Sequence, residues 1–204
     1  VKDLDVSKFD TSKVTDMTYM FGNCQNVRSL DVTKFNTGLV TKMSGMFAFC
    51  RAVQELKMSN FDTSNVAIMS YMFQELLYTS IIDVSKFDTS KVTDMYYMFD
   101  SCGYVDSLDV SNFNTKNVKD MSHMFSDLQR VTSLNLNNFD TSNVVDMAYM
   151  FGGSSGLIVS GVNKFDTSHV TDMSFMFYYN QKITSLNIAN FDTSWVSDMN
   201  SMFS

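Results

Sequence analysis

Residues 14–37 read VTDMTYMFGNCQNVRSLDVTKFNT, and residues 40–63 read VTKMSGMFAFCRAVQELKMSNFDT. The second string repeats the pattern of the first 26 residues later, with no insertion or deletion. Outward from this pair, Phe recurs at 9, 35, 61, 87, 113, 139, 165 and 191. A threonine follows two residues after each: Thr11, Thr37, Thr63, Thr89, Thr115, Thr141, Thr167 and Thr193. Val14, Met17, Met20 and Phe21 recur in every copy as far as Val196, Met199, Met202 and Phe203. The two Met columns hold 16 of the 17 methionines and the two Phe columns 16 of the 18 phenylalanines, so the odd composition follows from the period. A unit of this size is too small to bury a core alone. The copies must therefore cover one another, which predicts a solenoid. They lie near 1–26, 27–52, 53–78, 79–104, 105–130, 131–156, 157–182 and 183–204, and are expected to form one unit uncapped at both ends.

Within a copy the periodicity changes character. Leu4 and Val6, repeated as Leu30 and Val32 and as Leu108 and Val110, alternate with polar residues, the pattern of a strand with one face inward. Asp10-Thr11-Ser12 is a polar turn cluster, and Val14 begins a short extended segment. Met17, Met20, Phe21 and Cys24 fall at i, i+3, i+4 and i+7, which predicts a two-turn helix with Thr15 and Asp16 at its N-terminus. The expected fold class is thus an α/β solenoid of eight 26-residue coils, each a short parallel strand, turn, short extended segment and two-turn helix. Neighbouring strands would stand ~4.8 Å apart.

The core F-[DN]-T…V-x-x-M-x-x-M-F, held through eight copies, resembles the 26-residue repeat of bacterial surface proteins, close to the BspA-like group of leucine-rich repeats. The likeness spans the whole chain. It implies an open, leucine-rich-repeat-like solenoid on secreted or surface-anchored proteins with adhesive roles. It also implies a cell-surface or extracellular location. The partners would be a host or neighbouring-cell surface protein or glycan, or further copies of the chain itself.

In such a fold the functional unit is a column of equivalent positions. The Met and Phe columns read as core, because Met fills irregular gaps well. Cys24, Cys50 and Cys102 share a register with Leu76 and Leu128, which makes them structural thiols; a disulfide between Cys24 and Cys50 is the alternative. The threonine column, beside the Asp/Asn column that starts at Asp10 and Asn36, is expected to hydrogen-bond the turn backbone. The ladder Asp16, Asp94, Asp120, Asp146, Asp172 and Asp198 is expected to favour helix N-termini, with bridging Ca²⁺ as the competing use.

About 200° around the expected helix from Met17, at 100° per residue, lies the column Tyr19, Gly45, Tyr71, Tyr97, His123, Tyr149, Phe175 and Ser201. An outward aromatic stripe is a candidate binding or assembly surface, and mutual shielding of the rings is the alternative. The outer sheet face, from Asp3, Ser29 and Glu55 to Ile81, and from Asp5, Asp31 and Lys57 onward, is expected to be solvated. Two copies depart from pattern. Residues 74–82 carry extra apolar side chains, and residues 152–161 hold half of the 8 glycines, with Ser160 in a leucine slot where the register could slip.

The remaining classes are argued down by composition. A net charge of −7 and no basic stripe disfavour nucleic acid. No apolar run is long enough for a membrane span. His123 and His169 are the only histidines, and neither has the neighbours of a catalytic set, so neither enzyme, cofactor nor metal site is expected. The leading expectation is a non-enzymatic surface scaffold for adhesion or protein interaction. A filament subunit joining end to end is the alternative, followed by a carbohydrate- or Ca²⁺-binding array.

Overall fold

A computed structural model describes residues 2 and 4–204; Val1 and Asp3, the first member of the outer sheet column, lie outside the described residues. Two lines of parallel bridges run between copies, and only one of them is continuous. The longer is a chain of single parallel bridges, Asp16 to Lys42, Ile68, Asp94, Asp120, Asp146, Asp172 and Asp198. Around its first member, Thr41 N–H donates to the Thr15 carbonyl (2.8 Å) and Met17 N–H to the Lys42 carbonyl (2.9 Å). The second line is the expected sheet, and it is patchy. Strand β1 (Ser29–Asp31) pairs parallel with β2 (Glu55–Lys57), Ile81 bridges Ser107, and β3 (Ser133–Asn135) pairs with β4 (Ile158–Ser160). The strands are short because a corner follows at once: Asp31 Oδ1 accepts the Thr33 N–H at 3.0 Å and turns the chain.

The two-turn helix expected over Met17–Cys24 is not present, and no α-helix occurs among the described residues. The backbone there is a run of tight turns. Met20, Gly22 and Cys24 N–H groups bond three residues back, to Met17, Tyr19 and Phe21. The alternate N–H groups, of Met17, Tyr19, Phe21 and Asn23, go instead to Lys42, Ser44, Met46 and Ala48 of the next copy. An α-helix needs every N–H for its own i−4 carbonyl, and here half are committed to the neighbour. The backbone also turns left-handed twice per copy, as at Tyr19 (φ 51°) and Asn23 (φ 64°), which a right-handed helix excludes. The i, i+3, i+4, i+7 spacing nevertheless marks the inward face. Met43, Met46, Phe47 and Cys50 are all fully buried. Asp16 accordingly caps no helix: its Oδ1 accepts the Thr18 N–H at 2.9 Å, an Asx turn.

One apolar core runs from Val6 to Met202. Its spine is the column Phe21, Phe47, Phe73, Phe99, Phe125, Phe151, Phe177 and Phe203, whose neighbouring ring centroids lie 5.5–6.1 Å apart. The tandem copies thus share their apolar faces.

The register slips once. Leu30 faces Leu56, but Leu134 faces Val159, one residue short of the period, so an apolar side chain enters the slot that Ser160 would otherwise fill. The extra residue is taken up at Gly161 (φ 96°) and a 3-10 turn over Val162–Lys164. A Cβ on Gly161 would lie 2.6 Å from the Leu136 carbonyl carbon, so only glycine fits. The phase is restored by Thr141, whose hydroxyl donates to the Asp166 carbonyl at 2.9 Å.

Candidate functional site

Three columns of short polar side chains make the corners. Asp5, Asp10 and Asp16 each accept the N–H two residues on, at 2.9, 3.0 and 2.9 Å, and Asp31, Asp62 and Asp94 do the same farther along the three columns. The hydroxyl and then the backbone N–H of Ser12 and of Thr18 hold the exposed carboxyls of Asp10 and Asp16 below the usual range. Farther along the third column burial dominates, and Asp94 and Asp146 are pushed up instead. Among the described residues no three His, Cys, Asp or Glu side chains converge as a metal site.

The threonines tie copy to copy. The hydroxyls of Thr11, Thr37, Thr63, Thr89, Thr115, Thr141 and Thr167 donate to the carbonyls of Asn36, Asp62, Asp88, Asn114, Asp140, Asp166 and Asp192 at 2.9–3.0 Å. Thr11, Thr37, Thr63, Thr89, Thr115 and Thr167 also accept the N–H of the same partner. Thr193, in the last copy, is exposed. The side chains therefore serve the turn backbone, and the turn they serve is that of the next copy.

The aromatic column forms a stack. Ring centroids are 5.5 Å apart for Tyr71–Tyr97, 4.0 Å for Tyr97–His123, 4.6 Å for His123–Tyr149 and 4.4 Å for Tyr149–Phe175, all with planes within 14°. Tyr96 adds edges to Tyr71 and Tyr97. Tyr19 stands apart from this run and lies over Gly45, where a Cβ would come 2.3 Å from its Cε1. Every member of the column is left-handed, with φ between 51° and 60°. That conformation costs roughly 1–2 kcal/mol for a residue with a Cβ. Each stacked pair returns roughly 0.5–1.5 kcal/mol beyond burial, so a ring sandwiched on both sides offsets its own strain. The faces of the inner rings are used within the stack, and ring edges are what a partner meets. Burial drives Tyr71 up to about 12 and His123 down to about 4.

Beside the stack runs a buried polar chain. Gln74 Nε2 donates to Asp100 Oδ2 (3.1 Å) and Ser126 Oγ to Asp100 Oδ1 (2.6 Å), while Gln74 Oε1 has no partner among the described residues. Burial raises the Asp100 carboxyl. The cysteines are free thiols, and two have a polar duty that the sequence did not reveal: Cys50 Sγ donates to the Phe21 carbonyl (2.9 Å) and Cys102 Sγ to the Phe73 carbonyl (3.1 Å). Ser154 and Asn180 occupy the same slot and bond Phe125 and Phe151 likewise.

A second aromatic group lies outside the expected stripe. Tyr78 and Tyr104 share a register on adjacent copies, are 51% and 47% exposed, and approach to 5.1 Å with planes 51° apart. The next position in that register is Arg130. In the sequence the group's one signal is the break in pattern at residues 74–82, because the register of Tyr78 and Tyr104 is not aromatic in the other copies.

In-register bonding, a shared core and repeated corners define a tandem-repeat protein. The chain belongs to the family described as Mycoplasma protein of unknown function, DUF285, whose model matches residues 1–102, 77–157 and 127–204. No curated protein and no solved structure matches it.

Proposed function

We propose that the chain is an elongated, leucine-rich-repeat-like solenoid of the BspA-like kind, working as a non-enzymatic scaffold for adhesion or protein interaction at a cell surface. The observation that carries this reading is the parallel bridge ladder from Asp16 to Asp198, in which every copy bonds the next at the same residue. A ladder of that kind resists bending at each step and presents side-chain columns at a fixed pitch, which suits spacing and multivalent contact. Most of the conspicuous polar side chains close corners or join copies, so their chemistry is spent within the fold. The long, polar outer surface is left for partners.

The test is labelling of intact cells that carry the protein, with antibody against this chain, beside adhesion of beads coated with it. Labelling of unbroken cells and retention of coated beads are expected. Labelling that appears only after permeabilisation would overturn the reading.

A further inference from the structure

We propose that the cleft formed by Leu77, Tyr78, Gly103, Tyr104, Gln129 and Arg130 binds a neutral, β-gluco-configured pyranoside. The proposal rests on reading the chain as a non-enzymatic interaction scaffold. The cleft measures about 520 Å³, inside the ~300–1,000 Å³ range of small-molecule sites. It is where the repeat ceases to repeat. The register of Tyr78, Tyr104 and Arg130 holds Asn26, Ala52, Gly156 and Lys182 in other copies, and that of Leu77, Gly103 and Gln129 holds Gln25, Arg51, Ser155 and Gln181. Three consecutive copies therefore contribute unlike groups to one place.

The chemistry of those groups selects the ligand. The two tyrosine rings touch at 5.1 Å with planes inclined at 51°, yet the residues stay about half exposed, so ring surface is open to a visitor. Gly103, which also lines the cleft, has nothing within 4 Å of where a Cβ would be, so no side chain fills that part of it. Arg130 lies 5.2 Å from the Tyr104 centroid and 2.8 Å from Asp106 Oδ1. Its charge is thus met by a carboxylate and a ring face, which makes the cleft a poor site for an anion. What it offers instead is planar hydrogen-bonding capacity beside an apolar face: a guanidinium, two phenol hydroxyls, and a Gln129 amide anchored on the Gly153 carbonyl at 3.2 Å. A pyranose with all its substituents equatorial has the complementary surface. Its axial C–H bonds make an apolar face for an aromatic ring, and its hydroxyls point outward around the rim.

The experiment is chemical-shift mapping of the whole chain titrated with cellotetraose. Saturable shifts at Gly103, Tyr104 and Arg130 are expected. Tyr78→Ala and Tyr104→Ala should each weaken the sugar about tenfold, the loss of one ring contact of roughly 1.4 kcal/mol. Trp195→Ala, which removes a lone exposed ring in the last copy, should leave affinity unchanged. Urea midpoints establish that the variants are folded. Absence of shifts on the folded protein, undiminished binding by Tyr104→Ala, or tighter occupation of the cleft by a decaproline peptide would each overturn the proposal. Failure here with intact cells still labelled would remove the sugar site and leave the scaffold.

Discussion

Thr89 and Asn114 exchange two hydrogen bonds between adjacent copies, the threonine hydroxyl donating to the Asn114 carbonyl at 3.0 Å and accepting the Asn114 N–H at 2.8 Å. One buried side chain thereby satisfies both backbone groups of a residue in the following copy. Leaving two such groups unsatisfied costs roughly 2–3 kcal/mol. Thr89→Val, which keeps the shape and removes the hydroxyl, should lower the urea midpoint accordingly, and Thr89→Ser should lower it far less. A valine variant as stable as the parent would show that the ladder does not hold the copies together.

Left-handed backbone gives a pair of opposite expectations. Ser101 sits at φ 58° with a Cβ, so Ser101→Gly should gain stability by about 0.5–1 kcal/mol, the relief of strain less the added chain entropy. Gly161→Ala combines φ 96° with a collision against the Leu136 backbone and should lose about 2–4 kcal/mol. Thermal melting of the two variants checks both signs.

His123 links the aromatic stack to pH. Burial between Tyr97 and Tyr149 lowers its folded value from 6.5 to about 4. Between those limits the unfolded chain binds the extra proton and the folded chain does not, so stability rises with pH across the window and is lost on acidification through it. Allowing for its partial exposure, the effect is about 1–2 kcal/mol. Desolvation raises the carboxyls of Asp94, Asp100, Asp127 and Asp146, which act with the opposite sign. The contribution is therefore isolated as a difference: His123→Phe should be less acid-sensitive than the parent between pH 6.5 and 4. Parallel pH profiles for the two would contradict it.

The three cysteines should react in order of access. Cys24 is half-buried, whereas burial pushes the Cys50 thiol up to about 12 and raises that of Cys102 as well. Iodoacetamide should modify Cys24 in the folded chain and the other two only on unfolding, as peptide mass mapping would show. Cys102→Ser should keep the bond to the Phe73 carbonyl, as Ser154 does to Phe125, and should be better tolerated than Cys102→Ala.

Much of this organisation was legible as period and polarity. A side chain that recurs every 26 residues and is apolar, as Met43, Phe47 and Val40 are, has to face inward in every copy, whatever the backbone does. Apolar spacing reports direction, however, and not hydrogen-bond partners. Turns that alternate between right- and left-handed residues point Met43, Met46, Phe47 and Cys50 inward as well as a helix can, so the spacing fits both. Ile81, 72% exposed, was placed outward correctly because strand alternation is a statement about direction alone.

Period and polarity alone establish that the chain is a tandem repeat, which columns are apolar, and where the pattern breaks, because burial of apolar surface demands a constant inward set. The tertiary structure decided what the polar groups bond. Which N–H groups serve the neighbouring copy, which threonine oxygen meets which carbonyl, and which exposed rings converge beside Arg130 all depend on residues about 26 positions apart reaching hydrogen-bond and van der Waals distance. Those distances exist only once the copies are laid against one another.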